Sequence, residues 1–565
     1  MKAWRCPSAK AGRWSADFFG GWTTSLCGGL LLLASTALGQ GLSATDREKL
    51  GLTQLAEVAG SAMPTGAGIT VGQVEAPLTA GGTNYMPNAS YFSNPSAQLL
   101  ADTIVDKNGA GTVSTHATAV AEGIYGTNGV APGVANVDVY NANLWIYASV
   151  LRTTNWRAPL PVTQRVVNHS WIGSFAASGN NGVATATDML RRVDYVVNRD
   201  KVVMVAGVNN GLATQFPQVV ANAYNVISVG LTNGYSSPGP STIDVPGRTK
   251  PDLVVPATST STGAGWVTGA AAMLLEMVGE DSAASQPATI KAALLAGAVK
   301  TPFDLHGATP SAVDNWSHTP QQPLDLLHGA GQMNIYNSAL ILALGQQSAS
   351  STEDVNLTGW DYTAVSPEAT TKYFLEIPTG MVAISFSLIA TWNREIEFTQ
   401  GVNYQPATLT PSLANVDLAM YAATGYEQGA LIDSSISTID NVEHIYRTGL
   451  AAGRYEFDVT TSTLANVALA WTTQLAMQGD ANLDGIVDGA DYTAWADHYL
   501  ATNATWSQGD FNLDGNVDGA DYTLWADHFV PGFAFSPVPE PSSFVLLTAG
   551  LLLLAWRGAC RRPVR

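Results

Sequence analysis

A carboxylate, an imidazole, an amide and a hydroxyl stand far apart along this chain. Glu75 ends the run "GITVGQVE", His116 opens "HATAVAEGIYG", Asn209 follows "VVMVAGV", and Ser261 lies in "ATSTSTGAGWVTGAAAMLLE". Together they are the parts that acyl transfer requires. A hydroxyl attacks, an imidazole takes its proton, a carboxylate fixes the imidazole tautomer, and an amide N–H stabilises the oxyanion. Each also has a plainer reading on its own: Glu75 as a strand-end surface carboxylate, His116 as a first-turn helix residue, and Asn209 as a turn residue beside Asn210 and Gly211. Ser261 is one of a run of hydroxyls that would cap an apolar helix.

A second chemistry is written in a repeat, "GDANLDGIVDGADYTAWADHYL" from Gly479 and "GDFNLDGNVDGADYTLWADHFV" from Gly509. Oxygen side chains fall at loop positions 1, 3, 5, 9 and 12 with Gly at 6, the layout a hard cation such as Ca²⁺ needs. The ligand sets are Asp480, Asn482, Asp484, Asp488 and Asp491, and Asp510, Asn512, Asp514, Asp518 and Asp521. The carbonyls of Ile486 and Asn516 hold position 7. After each loop, Tyr492, Trp495, Ala496, Tyr499 and Tyr522, Trp525, Ala526, Phe529 recur at helical spacing. No helical pattern precedes the first loop. This pair, over 479–530, resembles a type I dockerin domain. The resemblance implies Ca²⁺-dependent folding at two sites, docking to a cohesin-like partner and a link to polysaccharide breakdown; a calcium-clamped spacer is the alternative.

The elements that must position the four dispersed residues alternate between β-branched runs and helical patterns from about 60 to 345. That alternation predicts an α/β domain, a mainly parallel sheet with helices on both faces, in which polar residues at strand C-terminal ends are site candidates. Over 351–478, period-two runs such as "TKYFLEIP" and "NVALAWTT" predict an all-β sandwich, similar to the accessory jelly-roll domains that follow secreted bacterial peptidases. Its aromatic residues read as core.

Region 60–345 resembles the subtilisin-like serine peptidases (the subtilase family, peptidase S8). His116-Ala117-Thr118 is similar to the family's His-Gly-Thr block, and Ala206-Gly207-Val208-Asn209 to its Ala-Ala-Gly-Asn block. Ser259-Thr260-Ser261-Thr262-Gly263 before "VTGAAAML" is similar to its Gly-Thr-Ser-Met-Ala block. Asn168-His169-Ser170-Trp171-Ile172-Gly173 looks like its substrate-edge strand. The resemblance implies a serine endopeptidase acting on protein or peptide, with Ser261 as nucleophile, His116 as base, Glu75 as orienting acid, Asn209 in the oxyanion hole, and Ser170, Trp171 and Gly173 along the substrate. Four departures stand out. Glu75 replaces the usual Asp, Ala117 a Gly, Thr262 a Met, and Gly265-Trp266 a Pro-His pair. They leave open a second reading, a catalytically weak or inactive surface binding protein on the same fold. His169, His306, His318 and His328 lack comparable partners and read as structural.

Both ends look like addresses. Residues 1–39 carry Lys2, Arg5, Lys10 and Arg13, then "LCGGLLLLASTAL", which together make a secretory signal. Residues 536–565 hold Val538-Pro539-Glu540-Pro541, an apolar stretch from Phe544 to Trp556 too short for a stable span, and terminal arginines. This tail resembles the PEP-CTERM sorting signal of exported Gram-negative proteins, implying sorting machinery as a partner, with processing or anchoring at the surface. The chain's net charge of −19 becomes more negative once these basic ends are removed, which opposes nucleic acid as a partner. All three cysteines, Cys6, Cys27 and Cys560, lie in those ends, so bracing is expected from metal rather than disulfides.

Overall fold

The computed structural model of the 565-residue chain describes residues 30–33, 41–79, 81–89, 103–153, 157–175, 181–211, 219–279, 281–300, 316–401 and 407–530. The expected sorting tail, most of the expected secretory signal and all three cysteines lie outside them, as does His306.

Seven strands form one parallel sheet: β1 (Thr70–Glu75), β2 (Thr103–Asp106), β3 (Asn136–Asn141), β4 (Val166–His169), β5 (Val203–Gly207), β6 (Val226–Leu231) and β7 (Leu253–Val255), in the order β2-β3-β1-β4-β5-β6-β7. β4 to β7 are buried at every residue, as apolar runs in a sheet covered on both faces should be. Alternation along a strand divides the core in two. Val203 and Val205 join the cluster on one face, while Met204 and Ala206 join that on the other.

The helices of six residues or more among the described residues are α1 (Ala44–Lys49), α2 (Leu52–Ala59), α3 (Thr115–Tyr125), α4 (Asn181–Asp200), α5 (Thr260–Val278), α6 (Pro287–Ala296), α7 (Ile335–Ala343), α8 (Gly489–Asp497) and α9 (Gly519–His528). Met189, Leu190 and Val193 of α4 cover one face of the sheet; Ala264, Val267 and Ala271 of α5 cover the other. α3 and α5 pack closely because a Cβ at Gly265 would stand 3.2 Å from Ile124 Cγ1 and 3.3 Å from the Val120 carbonyl. Gly265-Trp266 is thus helix interior, with Trp266 buried against Gly123.

Residues 41–62 belong to the same core. Leu42, Leu50, Leu52 and Leu55 are buried in the cluster that holds α5, and the Leu50 carbonyl accepts from Ile335 N at 2.8 Å. Deleting 41–62 strips four buried leucines at roughly 2 kcal/mol each. The expected outcome is a protein that aggregates or melts far below the full chain in a thermal scan. Release of a soluble, equally stable domain would contradict it.

The period-two region forms two antiparallel four-stranded sheets from β8 (Gly359–Val365), β9 (Thr371–Ile377), β10 (Met381–Trp392), β11 (Glu395–Thr399), β12 (Thr408–Ser412), β13 (Val416–Thr424), β14 (Glu427–Ser435), β15 (Val442–Arg447), β16 (Gly453–Thr461) and β17 (Ala465–Met477). The sheets run β8-β17-β10-β15 and β9-β16-β13-β14, with β11 and β12 as a separate hairpin. Tyr373, Phe386, Leu388, Phe457 and Trp471 fill the space between them, so these aromatic residues are core.

The first of these sheets is covered on its other face as well. Trp360, Ile389, Ala468 and Ala470 join the cluster of the α/β domain, so the two domains share apolar core. A buried polar joint reinforces it. Arg394 Nε donates to Asp194 at 2.8 Å, its Nη2 lies 2.6 Å from Asp244, and the guanidinium groups of Arg394 and Arg248 lie over the Tyr224 ring at 4.2 and 4.0 Å.

Candidate functional site

β1 carries Glu75 to the C-terminal end of the sheet. Across the neighbouring strand, Val74 pairs with His169, so Glu75 and Ser170 leave the sheet side by side. His116 stands in the first turn of α3, whose N-cap Ser114 accepts from Ala117 N. Its Nδ1 lies 2.9 Å from Glu75 Oε2, with 2 % and 0 % of the two side chains exposed. The extra methylene of glutamate is therefore accommodated. His116 Nε2 is buried and has no hydrogen-bond partner among the described residues.

The hydroxyl run resolves into separate tasks. Ser259 is the N-cap of α5 and accepts from Thr262 N; Thr260 N and Oγ1 donate to Asn210 Oδ1 at 2.9 and 3.3 Å. Ser261 occupies the first turn, where unpaired N–H groups and the helix dipole favour developing negative charge. Its Oγ lies 3.4 Å from the Ser170 carbonyl, while Ser170 Oγ donates to the Ser261 carbonyl at 2.8 Å. Asn168 Nδ2 holds Ser170 Oγ at 2.9 Å, and Thr268 Oγ1 donates to Asn168 Oδ1 at 3.1 Å. The site thus joins two adjacent pairs, Glu75–His116 and Ser170–Ser261. No Ser261–His116 hydrogen bond links them.

Asn209 is half-buried just beyond β5, and its carbonyl accepts from Ser237 N at 2.9 Å. The neighbouring Asn210, which the sequence presents only as part of a turn, ties its side chain to the start of α5. Trp171 is also placed differently from an open subsite wall. It is 3 % exposed and packs into the core with His169, whose ring lies 4.6 Å from Trp145 and 5.7 Å from Trp171. Burial pushes His169 down to about 3, so its ring is neutral. Gly173 lies in the strand Ile172–Phe175, which pairs antiparallel with Leu30–Leu33, Gly173 opposite Leu32. That edge can take an extended segment through its backbone.

The two repeat loops fold alike. In the first, Asp480 accepts from Asp484 N and Gly485 N at 3.2 and 2.9 Å, and Asp484 accepts from Ile486 N at 2.9 Å. Asp491 accepts from Ala481, Asn482 and Asp488 N at 2.8, 3.2 and 2.8 Å. The second repeats this with Asp510, Asp514 and Asp521. Gly485 and Gly515 sit at φ 82° and 85°, the conformation position 6 requires. Burial pushes Asp480 and Asp510 up to about 6, and neighbouring carboxylates add to it. That crowding of oxygens and negative charge fits a hard cation. Among the described residues no three His, Cys, Asp or Glu side chains converge as a finished metal cluster.

The aromatic residues after the loops do not form one buried helix face each. They pack across the pair: Tyr492 lies 5.1 Å from Trp525 and Trp495 5.2 Å from Tyr522. Trp495 Nε1 donates to the Asp518 carbonyl and Trp525 Nε1 to that of Asp488, so each loop is held by the other's tryptophan. Trp506 and Phe511 cluster with Val382 and Ala476 of β10 and β17, which seats the module on the sandwich.

Residues 537–562 match the PEP-CTERM protein-sorting motif, which marks the chain for export and surface sorting of the Gram-negative type. No helix among the described residues is long and apolar enough to cross a membrane. No curated protein matches the chain. Among solved structures, the chain is similar to the prenylagaramide maturation protease PagA, at 19% identity over 51% of this chain and 97% of that one, with a TM-score of 0.32. It is similar to the serine protease MycP1 of the type VII (ESX-1) secretion system, at 18% identity over 54% and 90%, TM-score 0.34. The epidermin leader peptide processing serine protease EpiP from Staphylococcus aureus gives 13% identity over 56% and 86%, TM-score 0.34. At these identities and scores the likeness is a resemblance from which no residue's role is drawn.

Proposed function

We propose that the chain is an exported serine endopeptidase of the subtilisin-like type, delivered to the cell surface. The observation that carries this reading is the buried Glu75–His116 pair at 2.9 Å with His116 Nε2 left unsatisfied. A buried polar atom without a partner calls for an explanation, and an incoming serine proton supplies one. In the proposed reaction Ser261 Oγ forms a bond to the scissile carbonyl carbon as its proton passes to His116 Nε2. Glu75 holds the imidazolium, and Asn209 with the N–H groups at the start of α5 receives the oxyanion. His116 then gives the proton to the leaving amine, and water repeats the sequence on the acyl-enzyme. Ser170 and Gly173 would line an extended peptide.

The test is covalent labelling. Protein purified with Ca²⁺ is expected to react with a fluorophosphonate probe at Ser261, with the rate falling steeply in His116→Ala. Folded protein that takes up no probe would sink the reading. A binding role without catalysis is the second reading, favoured by one observation: Ser261 Oγ faces the Ser170 carbonyl rather than His116.

The paired loops support a Ca²⁺-binding, dockerin-like module over 479–530, with a cohesin-like partner as its docking class. Asp480, Asn482, Asp484, Ile486 O, Asp488 and Asp491 would hold one ion, and Asp510, Asn512, Asp514, Asn516 O, Asp518 and Asp521 the other. Calcium would supply the positive charge these carboxylates lack. Chelation is expected to lower the melting temperature of the full chain, at RT ln(1 + [L]/Kd) or about 2.7 kcal/mol per site for calcium at a hundredfold Kd. A melt indifferent to chelator would contradict two structural calcium ions.

A further inference from the structure

Glu75 uses only one of its oxygens on His116. The other, Oε1, accepts from Gln73 Nε2 at 2.8 Å. Gln73 lies two residues earlier on β1, hence on the same face of the strand, and both side chains are fully buried. The same Nε2 donates its second hydrogen to the carbonyl of Ala117 at 2.8 Å, the residue after His116. Gln73 Oε1 accepts at 2.6 Å from the Oη of Tyr125, the last residue of α3. The amide therefore has both donors and its acceptor engaged, with one contact to the acid and two to the helix that bears the base.

Its orientation is fixed by charge. Turned over, the amide would set its carbonyl oxygen against the Glu75 carboxylate. Burial, and then the Glu75 charge, pushes Tyr125 well above its ordinary value, so its hydroxyl remains a donor at working pH. A glutamate side chain has one more rotatable bond than aspartate and needs more to hold it still.

We infer that Gln73, braced by Tyr125, is a positioning residue that fixes the longer acid Glu75 against His116. It touches no substrate, and the assignment rests on the proposed roles of Glu75, His116 and Ser261.

The test compares wild type, Gln73→Met, which keeps length and loses both donors, and Tyr125→Phe, which removes one oxygen. In Gln73→Met, kcat on a peptide substrate is expected to fall about 10- to 10²-fold with KM within about twofold, the size of a small misplacement at the reacting centre. Tyr125→Phe shows a smaller change in the same direction and serves if Gln73→Met does not fold. A readout independent of turnover is the low-field proton resonance of the His116 Nδ1–H in the bond to Glu75. It is expected in wild type and weakened or moved in both variants. Variants with unchanged kcat and an unchanged resonance would overturn the positioning role. Wild type that takes up no fluorophosphonate removes the proposed activity, and the resonance still decides for or against Gln73.

Discussion

Ser261→Ala is expected to abolish turnover, by about 10⁶-fold in kcat where nucleophile and base act as a unit, without unfolding the protein. The physical case for an intact fold is local. The cap of α5 is Ser259, not Ser261, and Thr260 is held separately by Asn210, so alanine at 261 leaves both ties in place. The side-chain bond lost is the 3.4 Å contact to the Ser170 carbonyl, too long to contribute much. Alanine also has the higher helix propensity. Steady-state kinetics on a peptide substrate alongside a thermal melt separate the two effects. Adding His116→Ala to the same chain should cost little more, because in the proposed reaction the two residues move one proton. Residual hydrolysis near the wild-type rate in Ser261→Ala would assign the chemistry elsewhere.

Asp252→Ala is expected to cost about 3–5 kcal/mol, the usual consequence of removing one partner from a buried ion cluster. Asp252 sits just before β7 with Lys250 Nζ at 2.7 Å on one oxygen and Lys291 Nζ at 2.9 Å on the other; Ser228 N and Oγ add bonds at 2.7 and 2.6 Å. All three charged side chains are buried. Burial alone would raise the carboxyl, but the two ammonium groups win and hold it well below the usual carboxylate range. Burial lowers Lys250 to about 8 despite its partner, so it gives up its charge readily if Asp252 is lost. These shifts set the sign of the pH dependence. A carboxyl depressed by folding contributes its stability above its unfolded value near 4, and that contribution is lost as pH falls through the acid range. Denaturant titration at pH 7 should show a lower midpoint in Asp252→Ala, and the gap to wild type should narrow on acidification. An equal midpoint at pH 7 would mean the cluster is not formed as described.

Ser261 and Asp252 are visible in the sequence by type but not by weight. "PDLVVPA" reads as one of the β-branched runs of the α/β region, yet nothing along the chain indicates that Lys291, from α6, completes the ion cluster. Likewise the spacing of Asp480 to Asp491 announces a cation loop. The exchange of tryptophan bonds between the two loops, Trp495 to Asp518 and Trp525 to Asp488, requires the helices to be set side by side.

What the sequence determined by itself was local. Period-two and helical patterning separated an α/β region from a sandwich, because burial on one face imposes a periodicity that survives in one dimension. It also supplied a carboxylate, an imidazole and a hydroxyl in order, and the oxygen positions of two loops. The tertiary structure decided which groups meet. It brought Glu75 to His116, separated Ser261 from the hydroxyls that only cap or brace α5, buried Trp171, and tied the Asn210 side chain to that helix. It also fused the sandwich to the α/β core through Trp360, Ile389 and Arg394, and set Gln73 behind the acid. The physical reason is that a hydrogen bond depends on a few tenths of an ångström between residues tens to hundreds of positions apart. Sequence periodicity fixes which way a side chain faces on its own element, and only packing fixes what it faces.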